Sequence, residues 1–193
     1  MSPGRADRES MLSDCATALA GLLAAGFGST VLVGWAIDHG TLKSLLPGWV
    51  TVKPNTALAF VLTGIALLAS RSSAKRSVRV ATAFSRLSRL SGWLVGLIGL
   101  LTLVEYVSGW NPGLDQWLFP EPAGTVGTSH PGRMAPDTAL CFALLAAGLE
   151  LGRNRCRTIE MLVTAAILGA LVMMLALTAI ASYFTQVLGP FGW

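Results

Sequence analysis

Long uninterrupted apolar blocks are the feature of this 193-residue chain that most constrains its fold. A helix of about 20 apolar residues, rising about 1.5 Å per residue, crosses a hydrocarbon core about 30 Å thick. Only 12% of the residues are charged, whereas a soluble domain has about 25%. The pattern predicts an all-α integral membrane protein with five transmembrane helices. The five blocks lie at about residues 14–37, 54–70, 89–109, 136–151 and 159–188.

The second and fourth blocks are short, and each begins at a proline, Pro54 or Pro136. Proline suits the first position of a helix because its missing N–H has no partner there in any case. Asn55 and Asp137 follow these prolines, and their side chains can accept hydrogen bonds from free N–H groups at a helix start. We therefore expect both prolines to mark the beginning of a helix.

Basic residues are divided unequally between the two sides of a five-span path. Eleven of the 14 lie on the side of the N-terminus, and three, Lys43, Lys53 and Arg133, lie on the other side. Cytoplasmic loops carry the excess of Lys and Arg in membrane proteins. The asymmetry predicts a cytoplasmic N-terminus and an extracytoplasmic C-terminus, and we call the second side the outer side.

The chain also contains an internal repeat. The segment 54–60 (PNTALAF) recurs 82 positions later as 136–142 (PDTALCF), and Gly34-Trp35 recurs as Gly109-Trp110. Each unit comprises two spans, so the copies share one orientation and form a parallel repeat. We expect a single membrane domain over residues 1–193. Its units are expected at about 13–71 and 88–153, with the first helix of a third unit at 158–193.

The outer connections contain two apolar stretches, 42–46 and 114–119, that are too short to cross a membrane. We expect them to form turns that lie on the outer surface. Trp49, Trp110 and Trp117 lie in the same connections, where tryptophan rings form a belt at the level of the lipid headgroups.

Glu105 is a carboxylate inside a predicted span, about five residues before Trp110 and roughly 7 Å below the outer interface. Acids inside a membrane are costly and are candidate functional residues. Pairing with Arg133, or with the N–H groups beside Asn55 and Asp137, would lower that cost. These five residues are our candidate functional or packing residues, and we expect Glu105 to serve as a packing latch in preference to a proton relay.

Residues that could bind metal or catalyse a reaction are sparse. His39 and His130 are the two histidines; they are metal candidates by residue type, but their spacing matches no metal motif. The three cysteines lack a C-x-x-C spacing. The sequence has no phosphate-binding glycine loop and no nucleophile, base and acid set. We therefore expect no metal, no cofactor, no nucleic-acid partner and no enzymatic activity.

Several motifs together resemble a known family of membrane modules. They are Leu103-Val104-Glu105-Tyr106, Gly109-Trp110, Gly113-Leu114-Asp115-Gln116, the run from Pro131 to Leu140, and Lys53-Pro54-Asn55-Thr56-Ala57-Leu58. In this order they resemble the multi-pass N-terminal module of many bacterial sensor histidine kinases and diguanylate cyclases. The resemblance implies a location in the bacterial inner membrane and PAS and kinase or cyclase domains that follow in the cytoplasm. It carries over no binding residue, because the stimulus of such modules is in general undefined.

Two functions remain open at this stage. The first is a non-catalytic sensory input module of a signalling protein. Because five spans place the C-terminus outside, where no cytoplasmic output domain can be attached, we expect a piece of a six-span module or a standalone relative. The second is an accessory structural subunit of a larger respiratory or photosynthetic membrane complex. Both predict a lipid bilayer and other membrane proteins, or further copies of this chain, as partners.

Overall fold

A computed structural model describes residues 3–44, 50–71, 77–121, 130–153 and 158–188. These residues form helices and loops without any strand. Trp49, the second half of the predicted turn 42–46 and the last residues of the predicted third unit lie outside these ranges. The helices are α1 (Pro3–Ala36), α2 (Gly40–Ser44), α3 (Pro54–Ser70), α4 (Val78–Ser108), α5 (Pro136–Arg153) and α6 (Ile159–Leu188), with a 3-10 turn at Leu114–Gln116.

The membrane character of the chain is borne out by three of the described helices. Met11–Ala36, Val78–Ser108 and Ile159–Ala181 are long and apolar enough to cross a membrane. Helix α3 is apolar but has 17 residues, which at about 1.5 Å each reach about 26 Å. Helix α5 has 18 residues and carries Asp137, Glu150 and Arg153 near its ends. The regular structure of the described residues is therefore all-helical, and three of the helices are candidate membrane spans by length and composition.

The helix boundaries agree with the sequence prediction at the two prolines. They differ from it where a helix includes polar residues outside the predicted apolar block. Helices α3 and α5 begin at Pro54 and Pro136 as predicted. Helices α1 and α4, by contrast, begin about eleven residues before the predicted apolar blocks. Hydropathy marks only the part of a helix inside lipid, and 78–88 has no proline or glycine that would end the helix.

The first of two compact units comprises Met1–Leu94 and Pro112–Arg133. In it α1 and α3 lie antiparallel and approach at small residues. A Cβ added to Gly64 would lie 2.5 Å from the Gly21 carbonyl oxygen, and one added to Gly28 would overlap the Ala57 carbonyl oxygen. Beyond these contacts, the core of the unit contains Val31, Trp35 and Ala57, packed against Phe27, Leu32, Val52 and Phe119.

The second unit comprises Val95–Asn111 and Met134–Trp193. A Cβ added to Gly99 of α4 would lie 2.6 Å from the Ala139 carbonyl oxygen, and one added to Gly96 would lie 3.0 Å from the Ala146 Cβ. The second half of α4 therefore packs closely against α5. Helix α5 also packs against α6, where Gly148 and Gly169 line an apolar groove.

Candidate functional site

A buried ion pair connects the start of α3 to Glu121. Lys53 directly precedes α3, and its Nζ donates to Glu121 Oε1 and Oε2 at 2.6 and 2.7 Å. Thr51 Oγ1 donates to Oε1 at 2.9 Å, and the Gly132 N–H donates to Oε2 at 2.6 Å. Lys53 is 7% exposed and Glu121 4%. The Glu121 carboxylate thus binds three separate residues away from solvent.

A second buried ion pair involves residues that are close in sequence to those of the first. Arg133 Nε donates to Asp115 Oδ2 at 2.7 Å, and Asn55 Nδ2 donates to Asp115 Oδ1 at 3.3 Å. Gly132 adopts φ +76°, and a Cβ there would lie 2.5 Å from the Asp115 carbonyl oxygen. This turn therefore requires glycine for both its backbone angle and its close packing.

We call Lys53, Glu121, Arg133 and Asp115 the ion-pair cluster. Its two positive and two negative charges balance, and each carboxylate has a second donor. Removing ions from water costs several kcal/mol each, which is recovered only by good geometry and further hydrogen bonds. Burial acts to raise the pKa of Glu121, but the hydrogen bonds from Lys53, Gly132 and Thr51 outweigh it, so the pKa lies below its usual value.

Trp35, near the end of α1, belongs to the same unit and contacts the segments that carry the ion-pair cluster. Its Nε1 donates to the Val52 carbonyl oxygen at 2.9 Å, and its ring stacks on Phe119 with 6.2 Å between centroids. Lys43 Nζ lies 4.5 Å from the ring centroid and pairs with Asp38 at the surface. The hydrogen bond and charge of Lys43 hold the pKa of Asp38 below its usual value. Trp35 therefore links the end of α1 to the segment that directly precedes α3.

The five candidate residues predicted from the sequence lie in different parts of the structure. Asn55 and Arg133 both bind Asp115 of the ion-pair cluster. Asp137 accepts the Thr138 N–H at 2.8 Å at the start of α5. Trp110 is 58% exposed, and Glu105 on α4 is 3% exposed. The pairing of Glu105 with Arg133 stays a prediction.

Both histidines are exposed. Among the described residues, no group of three or more His, Cys, Asp or Glu side chains is arranged to hold a metal ion. The structure thus assigns no metal-binding arrangement to His39 or His130 within those residues.

Sequence reasoning did not anticipate the role of Lys53, Asp115 and Glu121, although the sequence contains a signal. The predicted outer connections contain three basic residues and three acids. In the structure every one of these bases pairs with one of the acids: Lys43 with Asp38, Lys53 with Glu121 and Arg133 with Asp115. Equal numbers of opposite charges in short apolar connections were the available indication.

No family model, curated protein or solved structure matches this chain.

Proposed function

We propose that this chain is a non-catalytic sensory input module of a bacterial signalling protein, and that its stimulus acts on the ion-pair cluster. The observation that carries the proposal is the burial of two ion pairs in connecting segments, where they join the start of α3 to three other points of the chain. Neutralising one member of a buried pair leaves its partner uncompensated. A cluster of this kind responds strongly to a ligand or a proton that competes for one of its charges.

Helix α3 is suited to transmit such a change. Lys53 precedes its first residue, and the Lys53 carbonyl oxygen accepts the Ala57 N–H at 3.0 Å within the first turn. Ala57 in turn lies against Gly28 of α1. Because close-packed helices shift as rigid elements by about 1–2 Å, a displacement of Lys53 would be carried along α3 to its other end at Ser70.

A five-span topology with a cytoplasmic N-terminus, in the bacterial inner membrane, is part of the proposal. Pairing of Lys43, Lys53 and Arg133 with acids supports it, because the predicted outer connections then carry no unbalanced charge. The charges of α5 are also accommodated at its ends. Arg153 donates to Glu150 at 2.8 Å at the end that would face the cytoplasm.

The parallel two-helix repeat is a second part of the proposal, supported by matching close contacts inside the two units. Gly28 approaches the Ala57 carbonyl oxygen in the first unit, and Gly99 approaches the Ala139 carbonyl oxygen in the second. Each alanine is the third residue after the proline that begins its helix. The outgoing and returning helices of the proposed repeats thus approach each other at equivalent positions.

Aromatic side chains make matching hydrogen bonds at the ends of the outgoing helices. Trp35 Nε1 donates to the Val52 carbonyl oxygen at 2.9 Å, and Tyr106 Oη donates to the Met134 carbonyl oxygen at 3.2 Å. Both acceptors lie two residues before the helix-starting proline. This correspondence aligns Trp35 with Tyr106, whereas the sequence comparison aligned it with Trp110.

Spin labels on α1 and α3, at positions far from the ion-pair cluster, test the sensory function. In a variant that retains Cys15, carries Ser70→Cys and lacks the other two cysteines, EPR measures the distance between the two labels. Glu121→Gln removes one charge from the ion-pair cluster without changing its shape. We expect it to change the label distance by about 1–2 Å.

Asp38→Asn is the matched control, because it removes the exposed Lys43 pair and leaves the ion-pair cluster intact. The distance should then stay at its original value. Identical distances in the Glu121→Gln variant and the parent protein would contradict transmission from the cluster.

An accessory structural subunit is the second candidate function, and the surface of α6 favours it. The apolar span Ile159–Ala181 has no fully buried residue among those described, so a wide apolar face is open to lipid or to another subunit. Purification from the native membrane distinguishes the two functions. A constant stoichiometric partner, together with an unchanged label distance in the experiment above, would favour the accessory subunit.

A further inference from the structure

The first twelve residues of α4, Val78–Arg89, carry an exposed basic face. Arg79, Arg86 and Arg89 are all exposed, and Arg79 and Arg86 form no ion pair with any described residue. The sequence from Arg71 to Val104 contains six basic residues and no acid. The positive charges of Arg79 and Arg86 are therefore not paired with an acid among the described residues.

An apolar face lies beside the arginines on the same helix. Val80, Phe84 and Leu87 follow helical spacing and are 43%, 37% and 46% exposed. Arg79 and Arg86 are seven residues apart and so lie two turns apart on a neighbouring face. A helix with adjacent basic and apolar faces is suited to the boundary between lipid headgroups and acyl chains.

The depth of this segment follows from its contact with α3. Ser88 Oγ donates to the Ala66 carbonyl oxygen at 2.7 Å. Helix α3 ends four residues after Ala66, whereas α4 begins ten residues before Ser88. At about 1.5 Å per residue, α4 extends roughly 9 Å beyond the end of α3. Its first residues therefore emerge from the hydrocarbon region, and the long Arg89 side chain can reach the same level.

The local electrostatics favour a negatively charged partner. The N-terminal end of a helix carries a partial positive charge, which disfavours a cation such as Arg79 in the first turn. The first turn of α4 contains no acid that would offset it. Guanidinium groups bind phosphate oxygens through paired N–H donors, and basic segments next to a membrane span attract anionic lipids.

We propose that Val78–Arg89 binds the headgroups of anionic phospholipids. Phosphate oxygens accept hydrogen bonds from Arg79, Arg86 and Arg89, while the apolar face lies against the upper acyl chains. The inference rests on α4 and on its contact with α3, and it does not require the sensory function.

Lipid selectivity of the full chain tests the proposal. The protein is reconstituted in phosphatidylcholine bilayers that contain spin-labelled phosphatidylglycerol or spin-labelled phosphatidylcholine, and EPR measures the immobilised fraction of each. The parent protein should prefer phosphatidylglycerol. We expect the triple variant R79Q/R86Q/R89Q to lower that preference by about fivefold or more, given the contribution of each basic residue near an anionic surface.

Two matched variants make the result specific. Ser85→Gln changes an exposed residue of the same segment without changing charge and should keep the parent preference. R79K/R86K/R89K keeps the charge and should retain most of it. An unchanged preference in the glutamine variant, or an equal loss in the lysine variant, would overturn the proposal.

Discussion

At the residue scale, the pairing of Lys53 with Glu121 has a measurable consequence for stability. Lys53→Met leaves a carboxylate that is 4% exposed without its cation, and losing one partner of a buried pair costs about 3–5 kcal/mol. Adding Glu121→Gln should recover most of this loss, because the neutral amide oxygen can still accept from the Gly132 N–H while the amide N–H donates to the Thr51 hydroxyl. The melting temperature of the detergent-solubilised protein measures both effects.

Lys43→Met provides the control for this prediction, since its partner Asp38 is at the surface and exposed pairs contribute little. Its melting temperature should stay close to that of the parent protein. A similar fall in Lys53→Met and Lys43→Met would show that burial of the ion-pair cluster does not determine its strength.

The lowered pKa of Glu121 predicts a fall in stability at acidic pH. A carboxyl whose pKa is lower in the folded protein stabilises the fold fully above its unfolded pKa, about 4.3 for glutamate. That contribution decreases as the pH falls below about 4.3 and is lost once the pH passes the lower pKa of the folded state. Melting temperatures between pH 6 and 3 should show this decrease. Glu121→Gln should lack that part of the pH dependence.

Glu105 tests whether an acid buried in α4 serves as a packing latch. Its side chain is 3% exposed, and the latch hypothesis assigns it the role of a hydrogen-bond acceptor. Glu105→Gln keeps an acceptor oxygen, so its melting temperature should change little. Glu105→Leu removes the acceptor and leaves the donor of its partner unsatisfied, at a cost of about 1–3 kcal/mol. Equal melting temperatures for the two variants would contradict the latch.

Sequence reasoning identified part of the candidate site, and chain separation explains the part it did not. Asn55 was predicted as a functional or packing residue because it follows a helix-starting proline, and such local effects are readable from neighbouring residues. Lys53 and Glu121 are 68 positions apart, and Arg133 and Asp115 are 18 apart. Which base meets which acid depends on how the connecting segments fold back, and no local pattern encodes that.

At the element scale, small residues determine how closely the helices pack. Gly28→Ala would overlap the Ala57 carbonyl oxygen, and Gly99→Ala would bring a Cβ to 2.6 Å from the Ala139 carbonyl oxygen. Backbone atoms cannot rotate away, so each substitution should cost about 1–3 kcal/mol through separation of the two helices. Thermal unfolding in detergent measures the loss.

Gly26→Ala is the matched control on α1, since a Cβ at this position has nothing within 4 Å. Alanine is also the better helix former by about 1 kcal/mol, so this variant should be as stable as the parent protein or more so. If Gly26→Ala and Gly28→Ala were equally destabilising, close packing would not be the reason.

The boundaries of the helices show which physical signals are local. Pro54 and Pro136 each fix the start of a helix, because proline lacks the N–H that a helix interior requires. The early starts of α1 and α4 could not be obtained from hydropathy, because polar residues continue a helix as readily as apolar ones once it has begun. The contact of Gly99 with Ala139 also depends on helix packing, which sequence spacing alone does not determine.

At the scale of the whole molecule, the distribution of charge decides which loops can cross the membrane. The predicted outer connections contain only paired charges, Lys43 with Asp38, Lys53 with Glu121 and Arg133 with Asp115. The segment 71–89 contains six basic residues and no acid. Moving that segment to the outer side would require the transfer of six positive charges from a segment without an acid, which the positive-inside rule disfavours.

This charge distribution predicts the sidedness of single cysteines in intact cells. In a chain that lacks its three native cysteines, Ser77→Cys should react only with a membrane-permeant maleimide, and Gly40→Cys should also react with an impermeant one. Both positions are exposed, so a difference in labelling reports sidedness and not burial. The two positions are separated by α3, whose 17 residues make it shorter than the three helices that are long and apolar enough to cross a membrane. Labelling of both cysteines from the same side would therefore show that α3 does not cross the membrane. The ion-pair cluster at its start would then lie on the same side as the arginines of α4.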